Sequence, residues 1–272
     1  MPLPTAQNSL KHSLAEAIIQ LEAKPIAGAR LDAELLLAHV LAQPRTWIHA
    51  HDDYVLTPDQ LSQFQHLIDQ RLNHTPVVHL TGTREFYGLD FIITPDVLTP
   101  RVETEQMVEW AIKYTPQNGR LIDIGTGSGA IAIAIAKNRP DLHITATDIT
   151  HTELAVARQN ARKHGVDICF IESDLWHEVT GKFDTVVTNL PYLQTDADLM
   201  LEVTKEPAIA LFGGTDGLDL YRRFLNELPQ HLAPHGHVFT ECDPWQHDHL
   251  MALAAKSRLK AFEQGYFILG FR

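Results

Sequence analysis

Five short apolar runs between residues 120 and 241 constrain this chain more than anything else in it: "RLIDI", "HITAT", "DICFI", "FDTVVT" and "HVFTE". Helix-patterned segments such as "HTELAVARQNARKHG" and "DGLDLYRRFLNEL" stand between them. Strands that alternate with helices pack as a mostly parallel sheet with helices on both faces. The expected fold class is α/β, a doubly wound sheet that begins near residue 105. No internal repeat and no low-complexity segment interrupts the alternation.

The chain before it follows another period. "SLAEAIIQLEA" and "RLDAELLLAHVLA" carry apolar residues at i, i+3, i+4 and i+7, the stripe of an amphipathic helix. "TPDQLSQFQHLIDQRL" opens with Thr57 as a candidate N-cap, Pro58 at the first helical position and Asp59 in the first turn. Residues 9–74 therefore read as helices. "VVHLTGTREFYGLDFIIT" then brings β-branched and aromatic residues around Gly82 and Gly88, which suggests a hairpin. The expected division is a helical domain over 1–74, a hairpin linker over 75–95 and the α/β domain over 96–272.

Composition narrows the function classes. A chain of 272 residues, 44% apolar and 21% charged, has the make-up of an ordinary globular protein. No apolar run reaches the roughly 18 residues of a membrane span, so no membrane partner is expected. "MPLPTAQNSLKH" lacks the basic and apolar segments of a secretion signal. Cys169 and Cys242 make neither a disulfide framework nor a metal cluster, and they read as reduced residues of a cytoplasmic protein. Sixteen histidines stand outside any HExxH or CxxC frame, so no metal is expected. A net charge of −12 argues against a broad nucleic-acid surface, and no stable nucleic-acid partner is expected.

The chemistry starts at "LIDIGTGSGAIAIAIA", where a strand passes into an apolar helix through Gly125, Gly127 and Gly129. Glycines there let the backbone turn tightly and approach a ligand. Asp148, ending the next strand 19 residues after Gly129, can accept hydrogen bonds from ribose hydroxyls. Together they point to a nucleoside-containing cofactor. Gly125, Gly127 and Ala130 also satisfy the dinucleotide fingerprint, which keeps NAD open. Two features favour S-adenosylmethionine. Asp123 stands just before the loop, and the fourth strand ends in "NLPY" at the carboxyl edge of the sheet, where ligands of open α/β sheets bind. An Asn acceptor beside an aromatic ring suits a planar amine and has no evident use in hydride transfer.

These residues, with "LDAELLLAHVL", "PRTWI", "LTGTREFYGLDF", "TPDVLTPRVETE" and "EPAIALFGGTDGLDLYR", resemble the N5-glutamine methyltransferases of peptide chain release factors, the HemK-type enzymes. The resemblance covers nearly the whole chain. It implies a small helical domain, a β-hairpin linker and a seven-stranded, Rossmann-like class I methyltransferase domain. Two positions depart from the family pattern. Leu190 stands where Asn-Pro-Pro-Tyr has its first proline, and Val102 stands in a usual Pro-Arg-Pro-Glu-Thr-Glu. The form Asn-Leu-Pro-Tyr is also similar to that of ribosomal RNA adenine N6-dimethyltransferases, which begin almost directly with the glycine loop. Here about 95 residues precede the catalytic region and "GGTDGLDLY" follows it. The readings carried forward are a release factor glutamine methyltransferase, an adenine N6-methyltransferase and a non-catalytic nucleoside-binding module.

The resemblance also implies roles. The Asn189 side-chain oxygen and the Leu190 carbonyl would accept the two N–H groups of the glutamine amide, Tyr192 would pack on the amide plane, and Pro191 would stiffen the loop. Gly125, Thr126, Gly127, Ser128 and Gly129 would border the methionine portion of S-adenosylmethionine, and Asp148 with Ile149 would hold the ribose side. Asp174 and Leu175 would meet the adenine, and Arg101 with Glu103 would stand near the cofactor entrance. Glu206 and Pro207 would shape the wall beside Tyr192. "GGTDG" reads as a structural loop. A proline in place of Leu190 would be expected to leave activity equal or higher.

Overall fold

A computed structural model describes residues 8–272; the segment Met1–Gln7, which holds most of the stretch read above for a secretion signal, lies outside the described residues. The helical part comprises α1 (Leu10–Glu22), α2 (Ala29–Leu41), α3 (Arg45–Ala50), α4 (Pro58–Leu72) and α5 (Val77–Thr81). In α4 the Thr57 hydroxyl accepts from the Gln60 N–H while the Gln60 side chain accepts from the Thr57 N–H, a reciprocal cap behind Pro58. Leu21, Ala33, Leu36, Leu37 and Ile68 are sealed in this unit's own core. Among the described residues the chain from Asn8 to Gly82 forms one compact unit together with Met200–Lys205; Thr83–Leu199 and Glu206–Arg272 form the other. Within the helical unit the buried Arg71 guanidinium donates to Asp32 at 2.7 Å and also to Glu202. A buried guanidinium is tolerable only when paired in this way.

Part of the expected linker is helical. "VVHLT" forms α5, entered behind Pro76 and closed by Gly82 at φ +70°. Five residues are too few for periodicity to separate helix from strand, so the flanking proline and glycine decide. The hairpin itself is β1 (Thr83–Phe86) and β2 (Leu89–Ile92), antiparallel. Tyr87 and Gly88, at φ 51° and 74°, make its two-residue turn, the left-handed pair that matches strand twist.

The α/β unit continues with α6 (Glu105–Tyr114), β3 (Arg120–Ile124), α7 (Ala130–Asn138), β4 (His143–Asp148), α8 (His151–His164), β5 (Cys169–Glu172), β6 (Phe183–Thr188), α9 (Asp219–His231), β7 (Leu232–Glu241), α10 (His247–Lys256), β8 (Ala261–Gln264) and β9 (Ile268–Phe271). The sheet has seven strands in the order β5-β4-β3-β6-β7-β9-β8. Strands β3 to β7 pair in parallel, and β9 runs antiparallel to β7 and β8. All five apolar runs are strands. One apolar cluster covers one face through α6 and α7, and a second covers the other through α9 and α10. "AIAIAIA" of α7 is buried at every position, as a helix apolar all round must be.

Candidate active site

The strand order reverses direction at β3, with β4 on one side and β6 on the other. A cleft opens there at the carboxyl ends of the strands, the place where open α/β sheets bind ligands. It contains about 750 Å³ including its solvent-open mouth, and Gly125, Gly127, Asp148, Leu175 and Asn189 line it.

The β4 side is organised around Asp148. The glycine loop leaves β3 with left-handed φ at Gly125, Gly127 and Gly129, a path that L side chains rarely adopt. The Gly125 and Thr126 N–H groups both donate to the Thr147 carbonyl, at 2.9 and 2.8 Å. The Gly127 N–H donates to Asp148 Oδ2 and the Ile149 N–H to Oδ1, each at 2.7 Å. The Glu153 side chain and the Thr150 backbone also favour the charged form of Asp148. Glu153, in the first turn of α8, also lines the cleft and accepts from the Thr150 hydroxyl. Burial and the neighbouring Asp148 charge hold its carboxyl well above the usual range. Burial likewise raises Asp148, against the backbone donors that lower it.

The β6 side is held from several directions. Asn189, Leu190 and Pro191 line the cleft. Leu190 is 3% exposed, and its Cδ2 lies 3.4 Å from where a Cβ on Gly125 would stand, so its side chain packs under the glycine loop. Tyr192 donates its hydroxyl to Glu241 Oε1 at 3.2 Å, and the Tyr192 carbonyl accepts from Gln246 Nε2 at 3.0 Å. Burial raises the Tyr192 phenol and Glu241 raises it further, so it stays protonated. The Tyr221 hydroxyl lies 3.3 Å from the Leu190 carbonyl and closer to the Glu241 carbonyl. A phenol has one proton to give, and the shorter contact takes it, which leaves the Leu190 carbonyl able to accept.

The role of "GGTDG" follows from the same loop. A Cβ on Gly217 would stand 2.0 Å from the Tyr192 carbonyl oxygen, and one on Gly213 2.3 Å from that of Pro191. The Leu193 N–H donates to Leu211, and the Gly213 N–H donates back to Leu193. The glycines let two backbone segments lie in contact, and nothing about them cradles a phosphate.

The structure thus gathers Gly125, Gly127, Asp148, Ile149, Asp174, Leu175, Asn189, Leu190 and Pro191 around one cleft. Other expected residues stand outside its lining. Thr126 is buried and donates its hydroxyl to Asp123 at 2.7 Å; Ser128 is buried and gives its carbonyl to Asn160. Asp123 is fully sealed beneath the loop, with Oδ1 unpartnered and its carboxyl pushed up to about 7 by burial and then by Asp148. Gly129 closes the loop against Ile133 and Ala157. Arg101 pairs with the buried Glu206 at 2.7 Å, and Glu103 lies in the single turn Val102–Thr104 that leads into α6. Asp174 pairs with Arg223 at 2.7 Å through one oxygen. Leu175 holds a left-handed φ of 52°, a strained backbone at the cleft wall.

Sequence reasoning passed over Leu98, Glu153, Ile209 and Arg223 in the cleft, and Thr104, Tyr221, Glu241 and Gln246 behind it. Leu98, Ile209 and Tyr221 stood inside quoted motifs without a role. Glu241 carried no local signal beyond ending a strand.

A seven-stranded sheet of this order, with a glycine loop after β3 and an acid ending β4, defines a class I methyltransferase. A model of the PrmC N-terminal domain matches residues 12–82, and one of the Methyltransferase small domain matches 105–211. A release factor glutamine methyltransferase of Geobacter sulfurreducens is 36% identical over 239 residues, covering 86% of this chain and 84% of that relative. One of Xylella fastidiosa is 40% identical over 218 residues, covering 78% and 79%. The chain belongs to the family of release factor glutamine methyltransferases. Among solved structures, a ribosomal protein L11 methylase from Lactobacillus delbrueckii subsp. bulgaricus matches at TM-score 0.50 and 24% identity, over 66% of this chain and 83% of that one. A Pyrococcus furiosus methyltransferase matches at 0.52 and 19%, over 68% and 87%. Both share the fold.

Proposed function

We propose that this chain transfers a methyl group from S-adenosylmethionine to the side-chain amide nitrogen of the glutamine in the Gly-Gly-Gln motif of peptide chain release factors. What supports the reading is that Asn189 and Leu190 line the same cleft as Asp148 and the glycine loop. S-adenosylmethionine, when bound, supplies an electrophilic methyl on a positively charged sulfur.

The residues present fit that group. Asp148 lines the cleft as an acceptor within reach of ribose hydroxyls, Ile149 and Leu175 offer apolar surface to a ring, and the second oxygen of Asp174 is available to an exocyclic amine. The loop Gly125–Gly129 borders the methionine portion, with Thr126 and Ser128 acting from beneath by holding its shape. Arg101 and Glu103 act at the rim, where Arg101 fixes Glu206.

A carboxamide nitrogen is a poor nucleophile because its lone pair is delocalised into the carbonyl. The enzyme's contribution is positioning and electrostatics. Asn189 and Leu190 accept the two N–H groups, so the remaining lobe is aimed. Tyr192 packs on the amide plane, and Pro191 stiffens the loop. The helical unit, residues 1–74 in our division, docks the protein substrate, and the segment 75–95 links it to the methyltransferase domain of 96–272. The reaction belongs in the cytoplasm, where release factors work.

The test offers labelled methyl donor with purified release factor or with RNA. Label in the glutamine peptide is expected. Label in RNA would establish the adenine reading, and donor binding without transfer would establish a non-catalytic module.

A further inference from the structure

We infer that Glu241 is a positioning residue: its carboxylate fixes which end of the Asn189 amide faces the cleft. The inference rests on the role proposed above for Asn189. An asparagine amide has two ends of nearly one shape, one accepting and one donating, and only its partners tell them apart. Turned the wrong way, Asn189 would present N–H groups to the N–H groups of the substrate.

Strand register brings the partner alongside. Thr188 of β6 pairs with Thr240 of β7, so Asn189, just past β6, stands beside Glu241, the last residue of β7. Glu241 is 2% exposed. Its Oε2 accepts from the Thr104 hydroxyl at 2.6 Å and its Oε1 from the Tyr192 hydroxyl at 3.2 Å, and the Asn189 side chain, its neighbour across the strand ends, adds to the contacts that favour its charged form. An ionised carboxylate only accepts. The end of Asn189 that meets it must be Nδ2, which leaves Oδ1 for the cleft. The same carboxylate holds the Tyr192 ring by its hydroxyl, so one buried group sets both side chains of the acceptor loop.

Burial holds the Glu241 carboxyl above its ordinary value, with the Glu103 charge adding to the rise, against the Thr104, Tyr192 and Asn189 contacts that favour the ionised form. A buried carboxylate is costly unless it is hydrogen-bonded. Glu241 does not line the cleft, and no other step of the proposed reaction uses it.

The test is a cycle of Glu241→Gln and Asn189→Asp, read as single-turnover transfer to release factor. Gln at 241 keeps the shape but can donate to the Asn189 oxygen and so removes the orienting bias. With Asn189 present, Glu241→Gln should lower the rate about tenfold or more, the order seen when the partner that orients a reacting ligand is lost. S-adenosylhomocysteine affinity and KM for the release factor should stay within about twofold, since the loss falls on the transition state. With Asp at 189 both oxygens accept and no orientation can be lost. Glu241→Gln there also relieves a pair of like charges. In that background the rate should hold or rise.

Equal fractional losses in both backgrounds would show a merely structural Glu241 and overturn the inference. So would an unchanged rate with Asn189 present. If the unmodified chain transfers nothing to release factor, the functional reading falls and takes this inference with it; transfer by the unmodified chain combined with either result above removes Glu241 alone. Should Glu241→Gln fail to fold, selective 15N-asparagine spectra of the unmodified protein decide. The Asn189 side-chain amide, assigned by its loss in Asn189→Asp, should be protected from hydrogen exchange; free exchange overturns the inference.

Discussion

The two walls of the cleft are built by different means. The β4 wall is local: Gly125, Gly127, Asp148 and Glu153 lie within one strand-loop-helix-strand-helix unit, and Asp148 ties the loop to its own strand end through the Gly127 and Ile149 N–H groups. The β6 wall is assembled from far along the chain. Thr104, 137 residues from Glu241, and Gln246, 54 residues from Tyr192, converge on four residues after β6. Tyr192 itself reaches 49 residues to Glu241. On the proposed function the two walls divide the labour, the local one binding the donor and the assembled one aiming the acceptor. Substitutions on the two walls should therefore separate affinity from turnover.

The largest effect is expected on the β6 wall. Asn189→Ala deletes one acceptor while the Leu190 carbonyl remains, and single-turnover transfer should drop by about 10²–10³, as when one preorganised hydrogen-bonding group is removed. S-adenosylhomocysteine binding should barely change. Turnover within a few-fold of the unmodified chain would make "NLPY" a strand end and nothing more.

On the β4 wall the sign of the split reverses. Asp148→Ala removes a charged acceptor from the ribose and frees the Gly127 N–H, a loss of about 1.5–3 kcal/mol. Calorimetry should show S-adenosylhomocysteine affinity falling by about tenfold or more, each 1.4 kcal/mol being a factor of ten. Release factor binding should be untouched. Unchanged S-adenosylhomocysteine affinity would take Asp148 out of the site.

A third effect lies in pH and stability. The folded Glu153 carboxyl holds its proton above the ordinary range because of burial and then the Asp148 charge. Below the ordinary glutamate pKa of about 4.3 it is neutral in both folded and unfolded chains and contributes nothing to pH dependence. As pH rises past that value the unfolded chain ionises first, so the folded state is progressively disfavoured until its own raised pKa is passed. Glu153→Gln should therefore unfold at a higher temperature than the unmodified chain at pH 8 and show no such gain at pH 4. A gain independent of pH would contradict the paired-carboxyl picture.

The smallest effect concerns Leu190. The family's proline was expected from sequence to leave activity equal or higher. The structure adds a cost, because the Leu190 side chain is buried beneath the glycine loop. Leu190→Pro should keep turnover within a few-fold yet lose roughly 1–2 kcal/mol of stability from the space it leaves. A thermal melt checks this; an unchanged or higher Tm would show that the loop repacks freely.

The same contrast explains what could be read from the sequence. The strands were legible because each is a buried apolar run, and the glycine loop because its residues are consecutive and Asp148 follows within one βαβ unit. The place of Asn189 at the cleft was legible because it follows a strand that ends at the carboxyl edge of the sheet. Glu241 was not, because its meaning depends on β6 and β7 being neighbours, a fact of strand order that no local period carries. Thr126 and Ser128, expected to border the methionine portion with the rest of the loop, are buried, with the Thr126 hydroxyl on Asp123 and the Ser128 carbonyl on Asn160. Helix α5 escaped for the opposite reason: five β-branched-rich residues look like strand until Pro76 and Gly82 are weighed.

The central claim is that the cleft methylates one amide nitrogen of a release factor. It is tested most directly by single-turnover transfer from methyl-labelled S-adenosylmethionine to two release factors, one unmodified and one with the Gly-Gly-Gln glutamine replaced by alanine. N5-methylglutamine is expected in the digested unmodified factor and no label in the other. Label that persists in the alanine factor, or that appears on any other side chain, would contradict it.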